Sequence, residues 1–247
     1  MKIIITVFLA AIAASSFAQQ ENGHKMYKKD KMKYALPSVT RSIGGSFQQF
    51  DGLNARVANL PQYEQLKDYT ATLGLGWMKE QNRFISDMGI TLGSSLSRHR
   101  DEKSSTIRYI GFNANAGYDV LKNENITLYP LAGIGFQAYQ AVFFKDNSSV
   151  DFDDVLQSPA VQNSIHPVKF HNGFWVYRAG LGVSFKSPKH PSSSIGLQAG
   201  YTGSFQKRAW RSKENQSLRN APKDRISQFY ISLILSSKPW MMMKGSH

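Results

Sequence analysis

The stretch Phe84–Leu96, FISDMGITLGSSL, alternates with a period of two residues. One parity carries Phe84, Ser86, Met88, Ile90, Leu92, Ser94 and Leu96; the other carries Ile85, Asp87, Gly89, Thr91, Gly93 and Ser95. A helix would repeat every 3.6 residues, whereas successive side chains of a strand point to opposite faces, so this segment reads as a strand with one apolar and one small polar face.

The same pattern recurs along the chain. Ile110, Phe112, Ala114, Ala116, Tyr118 and Val120 oppose Tyr109, Gly111, Asn113, Asn115, Gly117 and Asp119. Ile126, Leu128, Ala132, Ile134, Phe136 and Ala138 oppose Thr127, Tyr129, Gly133, Gly135, Gln137 and Tyr139. Trp175 to Phe185, Ile195 to Tyr201 and Phe229 to Leu235 repeat it, with Arg178, Gly180, Gly182, Gln198, Gly200, Tyr230 and Ser232 on the polar parity. Ser38–Phe50 and Tyr69–Trp77 fit less cleanly. Eight segments result. The polar face is mostly small and weakly charged, which suits a narrow lumen, while the apolar face suits lipid. Each segment is long enough for the roughly 9–11 residues of a tilted membrane strand. The expected fold is all-β: an eight-stranded antiparallel up-and-down transmembrane β-barrel over 38–240, with Leu92, Ile110, Ile134, Leu181, Leu197 and Leu233 on the lipid side. A soluble lipocalin-like barrel would need an apolar interior that these faces do not supply. Aromatic residues at strand ends, from Tyr69 and Trp77 to Phe229 and Trp240, read as interfacial girdles.

The 247 residues hold 30 Lys+Arg against 17 Asp+Glu and no Cys, which excludes a disulfide scaffold, a thiol nucleophile and Cys-ligated metal. Lys2, the apolar run Ile3–Ala14 and the small pair Ser16 and Ala18 form a secretory signal peptide pattern over 1–18. A basic segment follows over 19–37, expected in the periplasm, and 241–247 is a tail. Short connections are expected on the periplasmic side at Met78–Asn82, Leu121–Asn125 and Lys186–Ser193. Longer ones, 51–68, 99–104, 145–172 and 206–224, are expected outside, the first with a helical turn around Ala55–Asn59.

The signal peptide, eight alternating strands, glycine-rich inner faces and the first-loop motif FDGLNARVANLP (50–61) together resemble the PorT-like small outer-membrane β-barrel family of Gram-negative bacteria. The resemblance covers nearly all of the chain after the leader. It implies an outer-membrane barrel and no defined activity. The chain departs from many outer-membrane barrels in running past Phe229 and Tyr230 to Lys238, Pro239, Trp240 and a Met-rich tail.

Inside the barrel, Asp87, Asp119 and Arg178 are expected to form a charge network that blocks conduction, because buried charges must pair to offset desolvation. Outside, the fourth loop and its flanks carry Lys207, Arg208, Arg211, Lys213, Arg219, Lys223 and Arg225 against Glu214 and Asp224. The first five suit lipopolysaccharide phosphates, and solvated loop charge is the plain alternative. The third loop carries Asp146, Asp151, Asp153 and Asp154; SSVDFDD lacks the spacing and central Gly of a calcium loop, so no metal is expected. No cofactor and no nucleic-acid partner are expected. Ser97, His99 and Asp101 share a parity near the external rim, and His166 and His171 share a loop, yet neither set forms a catalytic or metal-binding motif. The expectation is a non-enzymatic barrel, an accessory or structural subunit of a larger envelope complex for outer-membrane protein assembly, secretion or uptake. Its partners are outer-membrane lipids, lipopolysaccharide and other outer-membrane or periplasmic proteins. A lipid A-modifying enzyme and a small pore are the alternatives.

Overall fold

The structure is a computed structural model, and it describes residues 37–95, 103–121, 123, 125–187, 190–212, 214 and 216–238. The leader, nearly all of the 19–37 segment, Ser97, His99, Asp101, Lys213, Trp240 and the 241–247 tail lie outside the described residues.

Eight long strands form the wall: β1 (Ser38–Gln48), β2 (Tyr69–Gln81), β3 (Phe84–Ser94), β4 (Ser104–Tyr118), β5 (Ile126–Phe144), β6 (Val168–Ser187), β7 (His190–Ser204) and β11 (Ser227–Ser237). Three two-residue strands, β8 (Arg208–Ala209), β9 (Arg211–Ser212) and β10 (Lys223–Asp224), lie in the fourth long connection. Each long strand pairs antiparallel with its neighbours in sequence, and β11 closes on β1 from Val39↔Ser237 to Gln48↔Gln228. Closure removes the sheet edges, so every wall strand is paired on both sides. This is the up-and-down barrel that the alternation predicts.

Parity is as expected. Leu92, Ile110, Ile134, Leu181, Leu197 and Leu233 are all exposed on the outer wall, with Leu181 at 59%. In water such a belt would exceed by far the apolar patches that monomers tolerate. In a bilayer it is the surface that lipid covers, and the closed ladder satisfies the backbone. Aromatics frame the belt: Trp77, Phe84, Tyr118 and Phe185 near one end, Phe47, Tyr69, Trp175, Phe205 and Phe229 near the other. Several meet edge-on, such as Phe136–Trp175 at 5.4 Å and Tyr201–Phe229 at 5.2 Å.

The first short turn is tighter than the sequence suggests. β2 and β3 are joined by Asn82 and Arg83 alone, with φ of 51° and 71°. Positive φ at both central residues is what a right-twisted two-residue hairpin requires. Arg83 bears that conformation without being glycine; its guanidinium sits 4.6 Å over the Tyr118 ring and donates to the Asp119 carbonyl, contacts that offset the strain. β6 runs to Ser187 and β7 begins at His190, so the strands reach into the connection expected at Lys186–Ser193.

The long connections are folded. The first holds α1 (Asp51–Val57), four residues earlier than the helical turn expected at Ala55–Asn59. The third holds α2 (Phe152–Gln157) and α3 (Pro159–Ile165), started by the Asp151 and Ser158 side chains. It ends at residue 167, since Val168–Asn172 belong to β6 rather than to a 145–172 loop. Among the described residues no helix is long and apolar enough to cross a membrane; the strands do so.

Candidate functional site

The bore is built in layers. At the short-turn end Ile85, Tyr129 and Leu131 form a buried cluster with Met78 packed against it. Above it lies a cavity of about 70 Å³ lined by Asp87, Asn113, Arg178, Gln198, Tyr230 and Ser232 among others. Such a space holds a handful of waters, at about 10–15 Å³ each by this measure. A polar layer comes next. The Tyr139 hydroxyl donates to Gln137 Oε1 at 2.9 Å and lies 3.2 Å from Gln48 Oε1. Gln137 donates to Gln228 Oε1 at 3.2 Å, and Gln228 to the Tyr109 hydroxyl at 3.4 Å.

The outer half is an apolar core, which the alternation of the strands does not predict. Phe50, Leu53, Val57, Leu66, Ile107, Phe143, Phe174, Val176, Trp210 and Ile226 are buried together. Phe50 packs edge-on to both Tyr139 (5.3 Å) and Trp210 (5.7 Å). Glycines on the inner face are the sockets for inward tyrosines: a Cβ on Gly93 would lie 2.1 Å from the Tyr109 ring, and one on Gly182 2.2 Å from the Tyr129 ring. The glycine-rich face therefore accommodates tyrosines and does not leave an open channel.

Asp224 locks this plug. Its carboxylate is 4% exposed, and accepts from Gly52 N at 2.7 Å, Leu53 N at 3.0 Å and Trp210 Nε1 at 2.6 Å. Two of those donors are otherwise unsatisfied amides of the first turn of α1. Gly52 is required by proximity, because a Cβ there would meet Asp224 Oδ1 at 2.8 Å. Asn54 clips the other end of the loop: its Oδ1 accepts from Leu66 N at 2.8 Å and its Nδ2 donates to Leu66 O at 3.2 Å. The motif FDGLN thus supplies an aromatic plug, a close approach, a buried leucine and a clip. The role of Asp224 had no local signal, since 172 residues separate it from Gly52.

The expected charge network is corrected by the geometry. Asp119 lies beyond β4, where its Oδ1 accepts from Leu121 N (3.2 Å) and Leu128 N (3.3 Å); it organises a turn. Asp87 accepts from Asn115 Nδ2 at 3.1 Å. Arg178 stacks 4.3 Å over the Tyr230 ring. Asp87, Asn115, Gly133 and Arg178 occupy one cross-strand row, so three strand spacings of about 4.8 Å separate the carboxylate and guanidinium backbones. No ion pair joins them; among the described residues the pair formed is Lys186–Glu80, 2.6 Å, at the short-turn rim.

On the outside, Phe152 and Leu156 stand on α2 at 74% and 64% exposure, spaced to share one side of the helix. Their acidic neighbours serve the turns: Asp151 caps Asp153 N, and Asp146 Oδ1 accepts from the amide (2.9 Å) and hydroxyl (2.6 Å) of Ser148, which holds its carboxyl below the ordinary range. In the fourth loop, Lys207, Arg208 and Arg219 are exposed, and Lys207, Arg208 and Arg211 border a shallow cleft of about 260 Å³. His166 ends α3 with Nδ1 at the Gln162 carbonyl, while His171 lies on β6 beside Gln140, 3.4 Å away, so the two do not converge. Among the described residues no three His, Asp or Glu side chains gather as a metal site.

A closed antiparallel ladder, an apolar outer belt between aromatic girdles, short turns at one end and long loops at the other define a transmembrane β-barrel of the outer-membrane class. No family model matches the chain, and no curated protein sequence does. Among solved structures it is similar to the attachment invasion locus protein Ail of Yersinia pestis (15% identity, 81% of this chain and 96% of that one, TM-score 0.44). It is similar also to a major outer membrane protein of Thermus thermophilus (8%, 81% and 98%, 0.46) and to OprG of Pseudomonas aeruginosa (11%, 83% and 98%, 0.41). The assignment of the class rests on the strand register and the exposed belt.

Proposed function

We propose that this protein is a non-enzymatic, PorT-like outer-membrane barrel that serves as an accessory or structural subunit of a larger envelope complex. The observation that carries this reading is the contrast between a bore filled at both ends and an outer surface of folded loops. A filled bore offers neither a transport path nor a substrate pocket. The third connection, by contrast, spends two helices on holding Phe152 and Leu156 in the open, where aromatic and aliphatic anchors serve a partner's surface. Lys207, Arg208, Arg211, Lys213 and Arg219 add a contact to lipopolysaccharide phosphates at the rim.

The test is co-purification in mild detergent with residues 146–166 replaced by a Gly-Ser turn. The shortened protein should remain a heat-modifiable barrel and lose its partners. An unchanged set of co-purifying proteins would exclude the third loop as the docking surface.

A further inference from the structure

The outer wall changes character abruptly on one side of the barrel. Across β4, β5 and β6 the register places Phe112, Phe136 and Trp175 in one outward row and Ile110, Ala138 and Gly173 in the next. The row beyond holds Arg108, Gln140 and His171, and β9 extends it with Arg211, which pairs with His171. Successive rows on one face are two residues, about 6.8 Å, apart along the strands. One step therefore takes the wall from hydrocarbon-facing side chains to a cationic band. Arg208 joins the band, because its Nη1 donates to the Gly173 carbonyl at 2.7 Å. Among the described residues no carboxylate shares the row. The opposite side of the barrel differs: there the row across β7, β11, β1 and β2 near their outer ends is Tyr201, Phe229, Phe47 and Tyr69, all aromatic.

We infer that Arg108, Arg208 and Arg211, with His171, form a binding site on the barrel wall for the phosphates of an outer-leaflet lipid headgroup. The inference rests on the outer-membrane reading and deepens the lipopolysaccharide contact by moving its centre from the loop tip to the β4–β9 wall. Three physical reasons support it. The row lies where the apolar belt ends, the level at which headgroup phosphates meet a barrel. From β4 to β9 it spans three strand spacings, about 14 Å, which is wide enough for more than one phosphate. Arginine pairs with phosphate through two parallel hydrogen bonds, which suits it to a headgroup phosphate. The acyl chains of such a lipid would lie along Ile110, Phe112, Phe136 and Trp175 on the same strands.

The experiment measures retention of bisphosphorylated lipid A by the purified full-length barrel in detergent, using native mass spectrometry. Chemically dephosphorylated lipid A and inorganic phosphate are the comparison arms. The wild type should retain the phosphorylated lipid at least tenfold better than the dephosphorylated one, and millimolar inorganic phosphate should not displace it. The double variant Arg108→Gln/Arg211→Gln should lose that tenfold preference while remaining heat-modifiable. Arg108→Gln alone, which leaves the β9 pairing untouched, should lose part of it. Equal retention by these variants would overturn the inference, as would a larger loss from Lys207→Gln/Arg219→Gln at the loop tip. Displacement by inorganic phosphate would reassign the site to a free anion and overturn the lipid. Absence of lipid A binding by the wild type would remove the lipid contact and leave the partner-docking reading to its own loop-deletion test.

Discussion

The two halves of the bore are lined by residues of the same parity on the same strands, yet they hold different matter. Toward the short turns, Asp87, Asn113, Arg178, Gln198 and Ser232 surround water-sized space; toward the long loops, Phe50, Tyr139, Phe174 and Trp210 are buried against one another. The difference lies in what the loops deliver. The inner half receives only wall side chains, and eight strands leave room between small ones. The outer half receives Phe50, Leu53 and Val57 from the first connection and Trp210 and Ile226 from the fourth, which complete a core that the wall alone could not fill. A narrow barrel thus carries a conventional hydrophobic core at one end and a hydrated polar network at the other.

Substitutions can break or sharpen this contrast. The largest effect is expected from Trp210→Ala, which empties the plug: about 4 kcal/mol of destabilisation in urea unfolding, within the range for buried aromatics. A cost below about 1 kcal/mol would show that the outer half is not a packed core. Asp224→Ala should follow, at about 3 kcal/mol, because it strands two helix amides and the indole N–H. Limited proteolysis should then cut the first and fourth loops while the wall stays intact; loops that stay protected would contradict the clamp. The sockets predict a compensating pair. Gly182→Ala should cost about 2 kcal/mol through its clash with Tyr129, and adding Tyr129→Ala should make the double variant less damaged than the sum of the two singles. Ser232→Ala, on the cavity wall, should change stability by no more than about 0.5 kcal/mol. Smallest of all, Ser148→Ala should raise the depressed Asp146 titration midpoint toward its ordinary value, read by NMR. The sign is that of a lowered carboxylate: what the pairing contributes is present above the ordinary carboxylate pKa and is lost as pH falls through the depressed midpoint.

Alternation alone makes the strands readable in the sequence. A strand between lipid and lumen must switch polarity at every residue, and Phe84–Leu96 does so over nearly its whole length. The boundaries are less legible. Val168–Asn172 reads as loop because its alternation is inverted: the parity that faces outward carries Lys169 and His171, while the inward parity carries Val168 and Phe170. The charge network was legible only in part for a related reason: Asp87 and Arg178 line one cavity, whereas Asp119 holds a turn. Parity places Asp87, Asp119 and Arg178 on one side of the wall but says nothing of height or of distance around it, and these decide which charges meet. The FDGLN motif stands out in the sequence without an explanation, since the carboxylate that receives its Gly52 and Leu53 amides lies some 170 residues away.

The amino-acid sequence by itself determined the class of fold, the number of strands and the face that each residue shows. These follow from the two-residue period of the backbone and the need to satisfy every peptide group within lipid. Only the tertiary structure decided that the bore is closed, that Asp224 closes it and that Arg108, His171 and Arg211 stand in one row. Those facts depend on strand register and loop return, which bring together residues that no local pattern connects.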